Sequence, residues 1–301
     1  MISVPAPAKL NLFLHVTGRR PDGYHLLQSL FCLIDWQDSV ALSPRADGEI
    51  VRRGRHAWPA EEDLTIRAAQ ALKAWAHAQG VPNAPSLGCS IEVDKHVPAG
   101  AGLGGGSSDA ASCLLGLRSL WRLGVSDKDL SAIGLQLGAD VPFFLFGEAA
   151  VAEGIGQHLR PLPSQAAWFV VAVPPVHVPT ASIFRDPSLD RNAKAYSAAE
   201  LQAASHQPLW LLGSNSLEPV ACRQFPEVRM LLTQMQQTAA AMGLPTTSVR
   251  MSGSGGAVFG GCEDADQARQ WSEALGQKAP TGTRIRVCQQ LAQHPARALL
   301  Q

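Results

Sequence analysis

Charge of one sign is the first thing this chain lacks. Its 301 residues carry 25 Lys and Arg against 25 Asp and Glu, with a pI near 7.1. No broad field is available to hold nucleic acid or an anionic membrane, so any anion site has to be local. Long apolar runs are missing too. The stretch 166–173 stops at Pro174, well short of the roughly 18–20 residues that span a bilayer. The first ten residues hold no basic stretch ahead of an apolar one, which argues against a secretory signal and makes the cytoplasm the expected compartment. Cysteines are few and scattered, six in all with Cys89 and Cys113 the closest pair and no CxxC. That excludes a zinc ribbon or a dense disulfide frame and predicts buried thiols.

What is present is a globular composition, 46% hydrophobic, in a chain long enough that one core gives way to two lobes. The expected division is 1–165 and 166–301. In the first part, 9–16, 26–35, 39–42 and 49–52 read as strands, with 19–23 as the first turn. Asp63 caps a helix whose Leu64, Ala68, Leu72 and Trp75 share a face. A half-buried strand follows at 89–93, then a helix at 109–123 and another opened by Ser126 and Asp129 as a capping box and stopped by Gly138. The second part reads as a strand at 168–173, helical segments within 209–242, strands at 249–252 and 257–261, a helix at 264–275 and a strand at 284–289. This is the order of a ferredoxin-like α+β unit with an enlarged first crossover.

The most unusual segment is Pro98, Ala99, Gly100, Ala101, Gly102, Leu103, Gly104, Gly105, Gly106, Ser107, Ser108, set between a strand and a helix. Glycines there allow positive φ and convergent N–H groups, and the helix behind them adds free donors and its positive dipole end. Together these make a phosphate cradle. Gly100 to Gly105 also fits the dinucleotide pattern, yet the second strand with its acidic end that a Rossmann unit needs is replaced by another helix. A Walker A loop needs Gly-Lys-Ser/Thr, and Gly106 is followed by Ser107.

The loop, ending in Ser-Ser-Asp-Ala-Ala, closely resembles the second motif of the galactokinase, homoserine kinase, mevalonate kinase and phosphomevalonate kinase superfamily. The segment from Pro7 to Leu14, PAKLNLFL, resembles its first motif, and Arg250 to Phe259, RMSGSGGAVF, its third. Segments around Arg20 to His25, Leu137 to Pro142, Pro179 to Phe184 and Asn215 to Glu218 are similar to the branch whose acceptor carries a cytidine diphosphate group. The resemblance spans nearly the whole chain. It implies an α+β small-molecule kinase with a ribosomal-protein-like N-terminal lobe, a ferredoxin-like C-terminal lobe and a cleft between them. It further implies an ATP-dependent phosphotransferase with an alcohol acceptor, magnesium travelling with ATP, and no nucleic-acid or membrane partner. The metal ligands and the oligomeric state are left open. So are homoserine- or mevalonate-type activity and non-catalytic nucleotide binding. Asp109, where the superfamily often has a small or amide residue, and the longer 243–249 approach to the third motif are departures that bear on nucleotide contacts.

By residue type alone, Lys9, one of six lysines, is either an edge-strand lysine that discourages aggregation or an active cation. Asp140 is either a loop carboxylate satisfying backbone donors or a base. The resemblance places both at the catalytic centre, Asp140 taking the acceptor hydroxyl's proton and Lys9 neutralising charge beside it. Asn11 lies two residues from Lys9, on the same strand face, and can meet the same ligand. By resemblance His25 reads the cytosine edge and Tyr24 and Phe184 supply aromatic faces. Ser107 and Ser108 are expected to cap the helix, and one of them to meet phosphate or magnesium.

Overall fold

The computed structural model describes residues 1–54 and 59–299. In chain order the elements are β1 (Ile2–Arg19), β2 (His25–Arg45), β3 (Ile50–Arg53), α1 (Leu64–Ala78), β4 (Gly88–Asp94), α2 (Gly105–Leu120), α3 (Asp127–Leu137), α4 (Val141–Phe146), β5 (Ala150–Gly154), β6 (His158–Pro161) and β7 (Trp168–Val173). They continue with α5 (Thr180–Arg185), α6 (Ala198–Ala204), α7 (Glu218–Gln224), α8 (Pro226–Ala241), β8 (Arg250–Met251), β9 (Val258–Cys262), α9 (Ala265–Gly276), β10 (Arg284–Leu291) and α10 (Ala296–Leu299). This is a mixed α+β fold. Among the described residues no helix is long and apolar enough to cross a membrane.

The described strands join in the order β3-β4-β2-β10-β7-β9-β8, with β1 and β5 both paired to β2 and β6 to β5. The 21-residue β2 therefore serves four neighbours. It pairs β1 along its length, β5 near Leu27 to Phe31, β10 at Leu33 and Ile34, and β4 from Ser39 to Arg45. Expectation had broken it at Trp36-Gln37-Asp38. The chain stays extended there because its polar groups are satisfied sideways: Trp36 Nε1 donates to His96 O at 3.0 Å, and buried Asp38 accepts from His96 N and Val97 N.

The first strand is likewise longer than expected. Pro5 and Pro7 lack N–H groups, which suits an edge strand, and β1 has β2 as its sheet neighbour. Its other edge is covered by segments from across the molecule. Ser108 and Ser112 of α2 donate to Pro7 O at 2.7 Å and Pro5 O at 2.8 Å. Lys9 N donates to Leu103 O and Leu14 N to Ser214 O, while Asn11 N and Val16 N reach the hydroxyls of Ser252 and Ser216. An unpaired buried N–H is costly, so this edge dictates what docks on it.

Both predicted caps form: Asp63 accepts from Thr65 N at 2.9 Å and Ser126 from Asp129 N at 3.1 Å. Asp264, expected inside its helix, caps α9 instead, accepting from Gln267 N at 2.8 Å. One helix start is corrected. Rather than beginning at Asp109, α2 opens at Gly105 with Gly104 as an N-cap that makes no side-chain bond. Ser107 and Ser108 lie inside its first turn and cap nothing. The hairpin β5-β6 and the short helices α4, α5 and α6 were not anticipated. Each has few residues, too little length for periodicity to register.

One buried guanidinium ties β1 to the later segments. Arg250, 3% exposed, donates to the carbonyls of Leu12 (2.8 Å), Leu212 (2.5 Å), Gly213 (2.9 Å), Trp210 (3.0 Å) and Thr247 (2.6 Å). Replacing it by Met leaves those acceptors unpaired. We expect Arg250→Met to lose about 3 kcal/mol or more in urea unfolding, since each buried carbonyl left without a donor costs about 1–3 kcal/mol, and a loss below about 1 kcal/mol would contradict this role.

Candidate active site

The edge of β1 and the glycine loop meet at Lys9. Its side chain is 3% exposed, and an ammonium that far from water needs partners. Nζ donates to Gly102 O at 2.9 Å and to Asn11 Oδ1, lies 3.9 Å from Asp140 Oδ2, and sits 5.3 Å from the centre of the Phe31 ring. Burial holds its pKa below the usual lysine range, with Asp140 pulling it back up. Asn11 is anchored in turn, its Nδ2 donating to Ser29 Oγ at 2.8 Å. Asp140 precedes α4, makes no cap bond and keeps its carboxylate 36% exposed.

The glycine loop runs under Lys9 with φ of +65° at Gly100, +75° at Gly102 and +72° at Gly104. A Cβ on Gly102 would lie 2.2 Å from Ser252 O, and one on Gly104 2.8 Å from the Phe144 ring. Only glycine lets the backbone approach so closely at those angles. Behind the loop the first N–H groups of α2 have no intrahelical acceptor, so they and the helix dipole favour a negative group.

A cleft of about 980 Å³ brings most of the expected residues together. Lys9, Asn11, Tyr24, His25, Phe184 and Asp140 line it with Gly100, Gly102, Gly104 and Ser107. The rings of His25 and Phe184 stand 5.0 Å apart at 36°, whereas Tyr24 is 61% exposed at the rim. The remaining loop positions divide. Pro98, Ala99, Ala101, Gly105 and Gly106 line a second pocket of about 380 Å³ on the loop's other side. Leu103 and Ser108 are buried, Leu103 O accepting from Lys9 N and the Ser108 hydroxyl donating to Pro7 O. Of the two serines, Ser107 is the one that faces the cleft.

Residues 63–148 match the family described as GHMP kinases N terminal domain. Over 272 residues, 90% of each chain, the sequence is 48% identical to the 4-diphosphocytidyl-2-C-methyl-D-erythritol kinase of Thiobacillus denitrificans. Over 294 residues it is 44% identical to the enzyme of that name from Aromatoleum aromaticum, covering 97% of this chain and 94% of the relative. The chain belongs to the 4-diphosphocytidyl-2-C-methyl-D-erythritol kinase family. A crystal structure of 4-(cytidine 5'-diphospho)-2C-methyl-D-erythritol kinase superposes with a TM-score of 0.77 at 37% identity, covering 96% of this chain and 99% of that one. A homoserine kinase from Cytophaga hutchinsonii, at 18% identity and a TM-score of 0.65, shares the fold, with 98% of this chain and 96% of that one covered.

In this 4-diphosphocytidyl-2-C-methyl-D-erythritol kinase family member, sequence reasoning had missed a charged cluster beside the second pocket. Lys95 Nζ donates to Asp38 Oδ2 at 2.5 Å and to Asp109 Oδ2 at 2.7 Å. Asp109 had stood out as a departure from the superfamily's pattern, but apart from the scarcity of lysine nothing signalled its partners. Arg191, whose Nε meets His25 Nε2 at 3.1 Å, left no signal in the sequence.

Burial pushes Asp109 up to about 7, with Lys95 opposing and Asp38 reinforcing the shift. Its folded pKa thus exceeds the ordinary carboxyl value of about 3.9. Between these values the native state holds a proton that the unfolded chain has lost, so stability falls as pH rises through that window. Melting temperatures measured from about pH 4 to pH 7 should decline more steeply for the wild type than for Asp109→Asn. Parallel curves would refute the assignment.

Proposed function

We propose that the chain transfers the γ-phosphoryl group of ATP to the 2-hydroxyl of 4-diphosphocytidyl-2-C-methyl-D-erythritol, a step in non-mevalonate isoprenoid precursor synthesis. The observation that carries this reading is one cleft holding a lysine-aspartate pair, a glycine loop and the His25-Phe184 ring pair. Relatives bearing that enzyme's name support the acceptor.

In this reading the phosphates of ATP lie on the glycine loop and the open N–H groups of α2, with Ser107 beside them. Asp140 accepts the 2-hydroxyl proton as the oxygen bonds to the γ-phosphorus and the bond to ADP breaks. Lys9, buried and 3.9 Å from Asp140, offsets the negative charge at the transferring group. Phosphoryl transfer is loose and governed by positioning and charge neutralisation, so this small set suffices. The cytosine rests against Phe184 and Tyr24 with His25 at its edge, Asn11 stands beside the reacting hydroxyl, and the nucleoside of ATP enters the second pocket.

Magnesium would be brought by the nucleotide. Among the described residues no three His, Cys, Asp or Glu side chains cluster as a cage. Asp140 and Ser107 are oxygen donors lining the cleft, a sparse set that suits an ion held mainly by phosphates and water. There it would neutralise charge on the transferring phosphoryl group.

The same reading takes residues 1–165 as a ribosomal-protein-like lobe and 166–301 as a ferredoxin-like one, the latter supported by the strand order β10-β7-β9-β8. It puts the enzyme in the cytoplasm with its nucleotide substrates.

A coupled ADP-release assay tests the function. Turnover is expected with the cytidyl substrate and not with homoserine or mevalonate, and equal turnover of all three would sink the acceptor assignment. Asp140→Asn should fold and bind ATP but lose kcat by about 10²–10⁴-fold, the usual effect of removing a general base. A variant keeping more than about a tenth of wild-type kcat would move the base elsewhere.

A further inference from the structure

Arg191 lies between α5 and α6 and is bonded in four directions. Its Nε donates to His25 Nε2 at 3.1 Å. One terminal nitrogen donates to Leu189 O at 3.0 Å, the other to Phe184 O at 3.1 Å and Asp186 O at 2.8 Å. A guanidinium has five donors, no acceptor, and keeps its charge in proteins. Its bond to His25 therefore forms only when His25 Nε2 offers a lone pair. That excludes the imidazolium and the Nε2–H tautomer, leaving a neutral ring with its proton on Nδ1. The ring lines the cleft beside Phe184, whose backbone the same guanidinium holds.

We propose that Arg191 is a positioning residue that fixes His25 as an Nδ1–H donor, so that the cleft offers a hydrogen bond to a ring acceptor of the cytosine, N3 or O2. The proposal rests on the cytidyl reading of the cleft. Burial and the positive charges of Arg191 and Arg19 lower the pKa of His25, the direction that favours the neutral ring this bond requires. Recognition then has two parts under one control. Arg191 orients the ring that donates to the base and, through the Phe184 carbonyl, the ring against which the base lies. A protonated or Nε2–H histidine would break with Arg191, so the donor presented to the base is not free to switch.

Two-bond ¹H–¹⁵N correlation spectra of histidine-labelled protein read the tautomer directly. The wild type should show His25 with protonated Nδ1 and bare Nε2, and titration with CDP should shift the Nδ1 signal. Arg191→Met should release the ring toward Nε2–H and raise KM for the cytidyl substrate about ten- to hundredfold, as expected for a lost buried hydrogen bond. KM for ATP and kcat should stay within about twofold, the pattern of lost acceptor binding alone. An Nε2–H or imidazolium pattern in the wild type overturns the proposal, and that spectrum decides it even where the variant fails to fold. So does an equal rise in both KM values. If the Nδ1–H pattern is present but CDP leaves every His25 signal unmoved, the cytidyl reading of the cleft fails instead, and the proposal falls with it.

Discussion

The free edge of β1 is the constraint on which the rest of the molecule depends. Lys9, Asn11, Leu14 and Val16 send backbone N–H groups away from β2 into a buried region, and each must find an acceptor. The acceptors come from Leu103, Ser252, Ser214 and Ser216, residues far apart in sequence. Satisfying one strand's donors thus gathers the glycine loop, the segment after α6 and the third glycine motif around a single line of backbone. Because Lys9 and Asn11 lie on that line, their side chains emerge where these segments converge.

The buried ammonium then sets the local chemistry. With so little water, Lys9 relies on Gly102 O, Asn11 Oδ1 and Asp140, and the backbones around it have to come within a few ångströms. A Cβ on Gly253 would lie 3.3 Å from Nζ, 3.2 Å from Asn11 Oδ1 and 3.2 Å from Gly102 O. Gly253 thus stands close beside the cation and its two partners, while Gly102 is held against Ser252 O of the same third motif. Asp140 remains the partly solvated member of the group.

How much of this was legible in the sequence depends on how local each determinant is. Glycines crowded between a strand and a helix carry their meaning in a few adjacent residues, whereas Lys9 and Asp140 were singled out by the motifs they sit in, and the structure gathers all three at one cleft. Helix caps at Asp63 and Ser126 were legible for the same reason. The length of β2 was not, because the polarity of Asp38 is satisfied by the backbone after β4, 58 and 59 positions away. The start of α2 was misplaced because glycine has poor helix propensity, while close packing of the loop overrides that penalty. Arg191 and Lys95 take their importance from partners that no spacing rule connects.

The last strand has a consequence for how the chain is made. Residues 33 and 34 in the middle of β2 wait for Leu291 and Gln290 as partners, and buried His294 donates its N–H to Gly147 O at 2.7 Å. Domains on a ribosome tend to fold from the N-terminus as they emerge. Here the first-made sheet keeps an open seam until residues 290 and 291 have been made. Contacts of such long sequence separation close late and slowly. The nascent protein must therefore carry an unfinished β-edge until β10 emerges, a period in which shielding of that edge matters more than it does for the completed fold.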